Sequence, residues 1–318
     1  MEAQLLDAVQ NQGERESRVA RAKEITDSAH LYEHRAKQLV AFLNRAMAQQ
    51  QRTTPEDRLA WIVGCGRTGS TWLTEMLGDV PTVAAWNEPY YGRFFRQLVD
   101  RPEDRKRPAS FFSDNFHQVW KQGLRDAFYS MAQARYPQFG SSALVVKEVN
   151  TPEFFPMIQE LFPASKMILL LRDPFDILDS YIDMHRPGSW NRKAGEHSLE
   201  SIMRWAEHIR VALTAALDAY EVYPPDQRLK ICFEDLLRDP VQQLCQCCGL
   251  FGVELSADKA DEIVKKHSFD QHAETGKLAF RRFGKAGIWK ESGNFSEEIR
   301  EVADSSLGGL RTRLGLRH

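Results

Sequence analysis

Residues 59–72 read LAWIVGCGRTGSTW, an apolar run followed by a glycine-rich turn and the opening of a helix. The run Leu59–Val63 has the length and composition of a buried strand. Gly64, Gly66 and Gly69 allow the backbone to turn tightly and to aim successive N–H groups inward, and the start of the helix adds its positive end. This stretch therefore predicts a β–α unit with an anion-binding turn.

The turn departs from a Walker A loop at one position. The spacing matches, but Ser70 stands where the lysine is expected, and the cation lies earlier, at Arg67. The Walker lysine normally grips the β- and γ-phosphates of a triphosphate. A P-loop kinase or NTPase that uses ATP is thus an alternative lacking its expected lysine. A non-catalytic nucleotide-binding scaffold and a turn without any ligand are two further alternatives.

Apolar runs of strand length alternate with helical stretches along the rest of the chain. Further strands are predicted at 143–146, 166–171 and 229–233, and helices at 70–77, 151–162, 176–184 and 199–220. This order predicts an α/β fold with a mainly parallel central sheet flanked by helices, in which ligands lie at the carboxyl ends of the strands. Residues 1–58 are predicted as an added helical segment with Gly13 as a break, and residues 59–318 as the main domain.

Composition and charge narrow the function classes. The formal net charge of −2 gives no reason to expect a nucleic-acid or membrane partner. The start of the chain lacks a signal-peptide pattern, and the run Met167–Leu171 is too short to cross a bilayer. Three of the five cysteines, Cys245, Cys247 and Cys248, crowd together without the paired spacing of a zinc site. We expect reduced thiols on a packed helix, no metal and a cytoplasmic location.

Two more clusters suggest anion contacts. Arg172 follows the predicted strand 166–171, and Ser180 lies about two turns into the next helix, so both can reach one phosphate monoester. The alternative is a turn in which Asp173 caps that helix. Near the carboxyl end, residues 280–290 read FRRFGKAGIWK, where two glycines among cations form a second nest for an anion or else a basic surface loop.

The order and spacing of these three clusters resemble the sulfotransferases that use 3′-phosphoadenosine 5′-phosphosulfate (PAPS), over roughly residues 60–290. The resemblance implies a P-loop NTPase-like sulfotransferase fold, PAPS as sulfuryl donor and 3′-phosphoadenosine 5′-phosphate (PAP) as product. It implies contacts to the 5′-phosphosulfate from Arg67, Thr68, Gly69, Ser70 and Thr71. It implies contacts to the 3′-phosphate from Arg172, Ser180, Arg282, Phe283 and Gly284. It places Trp72 and Phe269 beside the adenine, and Phe233 where the family has a tyrosine, without that hydroxyl.

The resemblance also bears on the catalytic base. Cytosolic members carry a histidine two residues after a lysine, whereas residues 147–150 read KEVN. Carbohydrate and tyrosylprotein sulfotransferases use a glutamate about twenty residues after the first loop. Glu88, in the stretch WNEPY, matches that glutamate. We therefore expect Glu88 to be the general base, with Lys147 and Arg67 stabilising developing charge.

Several alternatives for these roles stay open. Glu148 and His185 are rival bases. Glu88 could instead be a surface carboxylate before a proline turn, and Lys147 a solvated lysine at a strand end. The sequence does not choose among these assignments.

The acceptor is expected to be a small molecule with a hydroxyl or amine, in natural-product or carbohydrate chemistry. The aromatic-rich stretch 94–136 and the stretch 185–198 could wall its pocket, although most of the aromatics in the first stretch are expected to face the core. The amino-terminal helices could cover the sheet, form a homodimer contact or touch the acceptor.

Overall fold

The computed structural model describes residues 12–30, 56–93, 106–108, 113–186, 198–268 and 284–316. The chain divides into two compact units, Met1–Thr54 and Pro55–His318. In the first unit, helix α1 spans Gln12–His30. Gly13 lies in the first turn of this helix, and the residues before Gln12 lie outside the described part of the chain, so the break at Gly13 stays a prediction. Residues 31–55 of the predicted amino-terminal helical segment lie outside the described residues.

The second unit is built on a five-stranded parallel sheet. Its strands are β1 (Leu59–Gly64), β2 (Val83–Asn87), β3 (Ala143–Lys147), β4 (Lys166–Leu171) and β5 (Arg228–Cys232). Their order across the sheet is β2-β3-β1-β4-β5, and every neighbouring pair is parallel. The predicted mainly parallel α/β sheet is confirmed.

Helices cover both faces of this sheet. On one face lie α2 (Ser70–Gly78), α7 (Phe233–Arg238), α8 (Pro240–Leu250) and α9 (Ala257–Lys266). On the other face lie α3 (His117–Arg135), α4 (Phe155–Leu161), α5 (Pro174–Met184), α6 (Leu199–Val222) and α10 (Glu297–Arg313).

Strand β1 shows how the sheet forms two cores. Leu59, Trp61 and Val63 point into one apolar cluster, while Ala60 and Ile62 point into the other. Successive side chains of a strand face opposite sides, so an all-apolar strand needs a helical layer on each. In the first cluster, aromatic rings pack around the Trp61 ring, among them those of Phe128, Phe162, Phe154 and Tyr91.

The aromatic-rich stretch before β3 contributes to this core. Its described aromatics Trp120, Phe128 and Tyr129 are buried, as expected for core-facing helix residues. Phe116 is 44% exposed and differs from them. Phe111 and Phe112 lie outside the described residues.

All five cysteines are free thiols, and Cys247 and Cys248 are buried on α8. Within the described ranges, no helix has the length and apolar character needed to cross a bilayer. Over the same residues, no cluster of three or more His, Cys, Asp or Glu side chains is arranged to hold a metal ion.

Candidate functional site

The glycine-rich turn joins β1 to α2 and has an unusual backbone. Arg67 and Gly69 both adopt left-handed conformations, with φ of 70° and 87°. A Cβ on Gly69 would lie 2.6 Å from the ring of Phe233, so this position needs glycine both for its conformation and for the close approach. The Thr68 hydroxyl donates to the Cys65 carbonyl at 2.8 Å and closes the turn.

Residues 172–180, more than one hundred positions along the chain, meet this turn. Arg67 Nε donates to Ser180 Oγ at 2.8 Å, and Arg172 Nη1 donates to the Arg67 carbonyl at 3.1 Å. Arg172 follows β4 directly and Ser180 lies on α5, so the carboxyl end of β4 delivers both to the end of β1. Burial lowers the pKa of Arg67, and the charge of nearby Arg172 acts in the same direction. Two guanidinium groups beside a glycine-rich turn form a place where an anion is favoured, while carboxylates around Arg172, Asp176 first among them, balance part of its charge.

Arg172 also connects the turn to the carboxyl-terminal part of the chain. Its guanidinium stacks on the Phe233 ring at 4.4 Å, and Nη2 donates to the Lys285 carbonyl at 3.1 Å. Phe233 is thus held between Arg172 and Gly69. The expected strand through Phe233 is corrected in the structure, since β5 ends at Cys232 and Phe233 opens α7. Gly284, predicted to contact the 3′-phosphate, lies directly before Lys285, whose carbonyl accepts the hydrogen bond from Arg172.

Lys147 and Glu88 form an ion pair beside the turn. Lys147 Nζ lies 2.6 Å from Glu88 Oε1 and 2.8 Å from Thr71 Oγ1. The solvated lysine considered from the sequence is wrong, because only 2% of the Lys147 side chain is exposed. Burial lowers the pKa of Lys147, opposed by the Glu88 charge. Burial raises the pKa of Glu88, but the charge and hydrogen bond of Lys147, together with hydrogen bonds from Tyr90 and Asn150, outweigh it and hold that pKa below its usual value.

The backbone around Glu88 is strained. Glu88 and Tyr90 flank Pro89 with φ of 48° and 53°, a region that non-glycine residues rarely occupy. The Glu88 N–H donates to the Lys147 carbonyl at 3.0 Å, and the Tyr90 hydroxyl donates to Glu88 Oε2 at 3.2 Å. Such strain persists only where surrounding contacts enforce it, and it clusters at functional sites. The alternative of a plain surface carboxylate does not fit these contacts.

Glu148, one rival base, is fully buried and engaged in the fold. Its oxygens accept from the Tyr91 N–H at 2.9 Å and from the Thr151 hydroxyl at 2.8 Å. Burial raises the pKa of Glu148. These contacts anchor the segment that follows Glu88, and they give Glu148 a structural role.

His185, the other rival, lies at the end of α5. Its ring stacks on Trp205 with the centroids 4.3 Å apart, and Nδ1 lies 2.8 Å from the Tyr181 carbonyl oxygen. These contacts fix the ring against α6 and α5. They do not connect it to Lys147 or Glu88.

Of the two residues predicted to lie beside the adenine, Trp72 is among the described residues and Phe269 is not. Trp72 is buried on α2, and its indole N–H donates to the His267 carbonyl at 2.9 Å, which ties α2 to the segment after α9. Phe269, Arg282 and Phe283 lie outside the described residues. Ser70 is buried at the first position of α2, consistent with the predicted helix opening.

Sequence reasoning missed a set of buried carboxylates on α5. Asp173 caps α5 by accepting from the Phe175 N–H at 2.9 Å, as one alternative had it. Asp173 also receives two bonds from Arg311, at 3.0 and 3.1 Å. Asp176 and Asp179 continue the series at every third residue. That spacing, which puts all three on one helical face, is the signal that could have revealed them.

A family model described as “Sulfotransferase family” matches residues 60–257, more than half of the chain. The chain belongs to the sulfotransferase family. The matched range includes the glycine-rich turn, the Lys147–Glu88 pair, Arg172 and Ser180. Membership supports sulfuryl transfer as the chemistry of this sulfotransferase.

Three known proteins are similar to this chain in sequence or in fold. A Caenorhabditis briggsae protein named “Putative protein-tyrosine sulfotransferase” is 27% identical over 204 residues, which cover 63% of this chain and 67% of that protein. The fold is similar to that of mouse sulfotransferase SULT7A1 complexed with PAP, at a TM-score of 0.53 and 13% identity, covering 82% of this chain and 88% of that one. A retinol dehydratase complexed with androsterone and PAP matches at a TM-score of 0.47 and 16% identity, covering 82% and 83% of the two chains.

Proposed function

We propose that this sulfotransferase moves the sulfuryl group of PAPS onto a hydroxyl or amine of a small-molecule acceptor, releasing PAP. One observation carries the proposal. The turn that follows β1 is contacted on one side by the Lys147–Glu88 pair, through Thr71, and on the other by Arg172, through the Arg67 carbonyl. A carboxylate and a cluster of cations thus flank the same anion-binding turn.

The residues present fit such a nucleotide. Within the described part of the chain, the buried Nε of Arg172 has no hydrogen-bond partner, so this guanidinium retains a donor. A Cβ on Gly66 would lie 3.1 Å from the Tyr181 hydroxyl, so the turn passes close to α5 without a side chain. Arg67, Arg172 and Lys147 bring three cations to a chain whose net charge is negative. We assign the 5′ end to the turn 67–71 and the 3′-phosphate to Arg172 and Ser180.

PAPS, when bound, would supply an activated sulfuryl group on a phosphate leaving group. The residues of this chain would prepare the acceptor. Glu88, whose pKa is held low by Lys147, is ionised near neutral pH and can accept the proton of the acceptor hydroxyl or amine. Lys147, anchored between Glu88 and Thr71, lies where it can balance negative charge that develops at the end of the turn.

The acceptor class is part of this proposal. We propose an alcohol, phenol or amine from natural-product or carbohydrate chemistry, met in the cytoplasm. A tyrosine-containing peptide belongs in the same test, because the Caenorhabditis relative is named for that acceptor.

The proposal is tested by incubating the protein with PAPS and a panel of alcohols, phenols, amines, sugars and a tyrosine peptide. We expect a mass gain of one SO3 group on at least one acceptor. Glu88→Gln, which keeps the shape but cannot take a proton, should lower kcat by about 10²–10⁴-fold. The same variant should still be stabilised by PAP in a thermal shift assay.

The alternative that the protein uses ATP is tested with the same acceptor panel. ATP with magnesium should give no phosphoryl transfer to any acceptor, and sulfuryl transfer should persist in a metal chelator. The proposal is wrong if ATP stabilises the protein as much as PAP does. Unchanged transfer rates in both Glu88→Gln and Lys147→Ala would refute the roles proposed for these two residues.

A further inference from the structure

Helix α5 presents a face of carboxylates that the proposed transfer does not use. Asp173, Asp176 and Asp179 follow one another at every third residue, while Ser180 on the same helix meets Arg67. All three carboxylates are contacted by residues from the carboxyl-terminal part of the chain, more than one hundred positions away. The helix therefore joins the arginine end of the site to residues 284–313.

Asp176 makes the contacts closest to the site. Its Oδ2 accepts from the Gly287 N–H at 2.7 Å, and its Oδ1 accepts from the Trp289 N–H at 3.1 Å. The same Oδ2 lies 3.7 Å from Arg172 Nε. The side chain has 0% exposure. One buried carboxylate thus connects the strand-end arginine with the glycine segment.

The glycine segment contacts Arg172 a second time, directly. The backbone carbonyl of Lys285 accepts a hydrogen bond from Arg172 Nη2 at 3.1 Å. Gly287 has a φ of 74°, a left-handed conformation that turns the chain between the residue bonded to Arg172 and the residues bonded to Asp176. Arg172 and segment 284–289 are therefore held as one unit, through a direct bond and through Asp176.

We propose that Asp176 is a positioning residue for the recognition of a nucleotide 3′-phosphate, acting through Arg172 and the turn Gly284–Gly287. The inference rests on the proposed use of PAPS. A donor set that is fixed before the ligand arrives binds more tightly, because less ordering has to occur on binding. Asp176 supplies that fixing for the 3′ end of the nucleotide, because its hydrogen bonds go to the Gly287 and Trp289 N–H groups of the carboxyl-terminal segment.

Asp179 provides a matched control on the same face. Its Oδ1 accepts from the Ser292 hydroxyl and from Asn294 Nδ2, the latter at 2.9 Å. These partners lie beyond the glycine segment. Asp179 is nearly as buried as Asp176, but its hydrogen bonds hold Ser292 and Asn294, and it acts on Arg172 through its charge alone.

The test compares PAP with adenosine 5′-phosphate, which lacks the 3′-phosphate, by titration calorimetry on the whole protein. In Asp176→Asn, an amide NH2 replaces one of the two carboxylate oxygens and faces an N–H donor, that of Gly287 or Trp289, which then loses its acceptor. We expect the affinity for PAP to fall about 10–100-fold, the loss of one charge-assisted bond, and that for adenosine 5′-phosphate to change by less than about threefold. Asp179→Asn should lower the melting temperature and change the ratio of the two affinities by less than about threefold.

A second variant covers the case in which Asp176→Asn does not fold. A Cβ at Gly287 would meet nothing within 4 Å, so Gly287→Ala disturbs only the left-handed backbone and the N–H that Asp176 accepts. It should show the same selective loss for PAP. Equal weakening of both nucleotides in either variant would overturn the positioning role, as would the same loss of selectivity in Asp179→Asn.

The outcome also separates this inference from the proposed function. If the unaltered protein binds PAP no better than adenosine 5′-phosphate, the use of PAPS is itself refuted. If it prefers PAP and Asp176→Asn keeps that preference, only the role of Asp176 is refuted.

Discussion

Arg311→Met tests whether the carboxyl-terminal helix stabilises the part of the fold that carries Arg172. Arg311 donates two hydrogen bonds to Asp173, at 3.0 and 3.1 Å. The exposed side-chain fraction is 4% for Arg311 and 13% for Asp173. Methionine keeps most of the apolar stem but removes the charge. The carboxylate of Asp173 would then remain largely buried without its partner.

The size of the effect follows from this burial. Removing one member of a buried, hydrogen-bonded ion pair typically costs about 3–5 kcal/mol, because the remaining charge stays desolvated. The Arg311 guanidinium also stacks on the Phe175 ring at 4.2 Å, a contact that would be lost with it. We therefore expect Arg311→Met to lower the free energy of unfolding by at least about 3 kcal/mol.

Urea denaturation followed by circular dichroism measures this change. Arg313→Met is the matched control on the same helix, since Arg313 pairs with Asp218 and Glu221 while 37% exposed. Solvent screening limits such surface pairs to about 1 kcal/mol or less. The double variant Arg311→Met with Asp173→Asn should recover part of the loss, because no unpaired charge remains. Equal effects of Arg311→Met and Arg313→Met would refute the reasoning.

Three further predictions concern the site itself. In Lys147→Met, kcat should fall about 10²–10³-fold. Loss of Lys147 removes the largest influences that lower the pKa of Glu88, so this pKa should rise, although hydrogen bonds from Tyr90 and Asn150 remain. Activity, present above this pKa, should then be lost at a higher pH as the pH falls, and an unchanged acidic limb in the pH–rate profile would count against the ion pair. Gly69→Ala should destabilise the protein by more than about 1 kcal/mol through backbone strain, whereas Gly308→Ala on α10, with free space at its Cβ, should be neutral or stabilising by about 0.5–1 kcal/mol in thermal unfolding. Arg172→Ala should remove most of the rise in melting temperature that PAP gives, and a full retained shift would contradict its assignment to the 3′-phosphate.

The strands of the sheet, and the position of Arg67 and Arg172 at strand ends, could be predicted because they depend on local sequence patterns. A glycine turn after an apolar run and an arginine directly after another such run each mark the carboxyl end of a strand. Parallel strands end at one edge, so both arginines were expected at that edge, and the pairing of β1 with β4 brings Arg67 and Arg172 together. Their bond through the Arg67 carbonyl agrees with this reasoning.

Other parts depend on contacts that no local pattern contains. Strand β2, whose sequence VAAWN is poor in β-branched residues, is set by its pairing with β3. The burial of Lys147 follows from its pairing with Glu88, 59 positions away. The pairing of Asp173 with Arg311 joins residues 138 positions apart. Each of these is decided by tertiary structure rather than by the neighbouring sequence.

The central place of β1 has a consequence for how this protein is made. Its partners β3 and β4 begin at Ala143 and Lys166, so during synthesis the apolar run 59–64 emerges long before either edge can be paired. Strand pairings of such long sequence separation form slowly, and an unpaired apolar strand readily joins another chain. Productive folding of a newly made chain therefore requires this run to stay away from other chains until β4 has left the ribosome, which makes expression at low temperature or with a chaperone the favourable route to active protein.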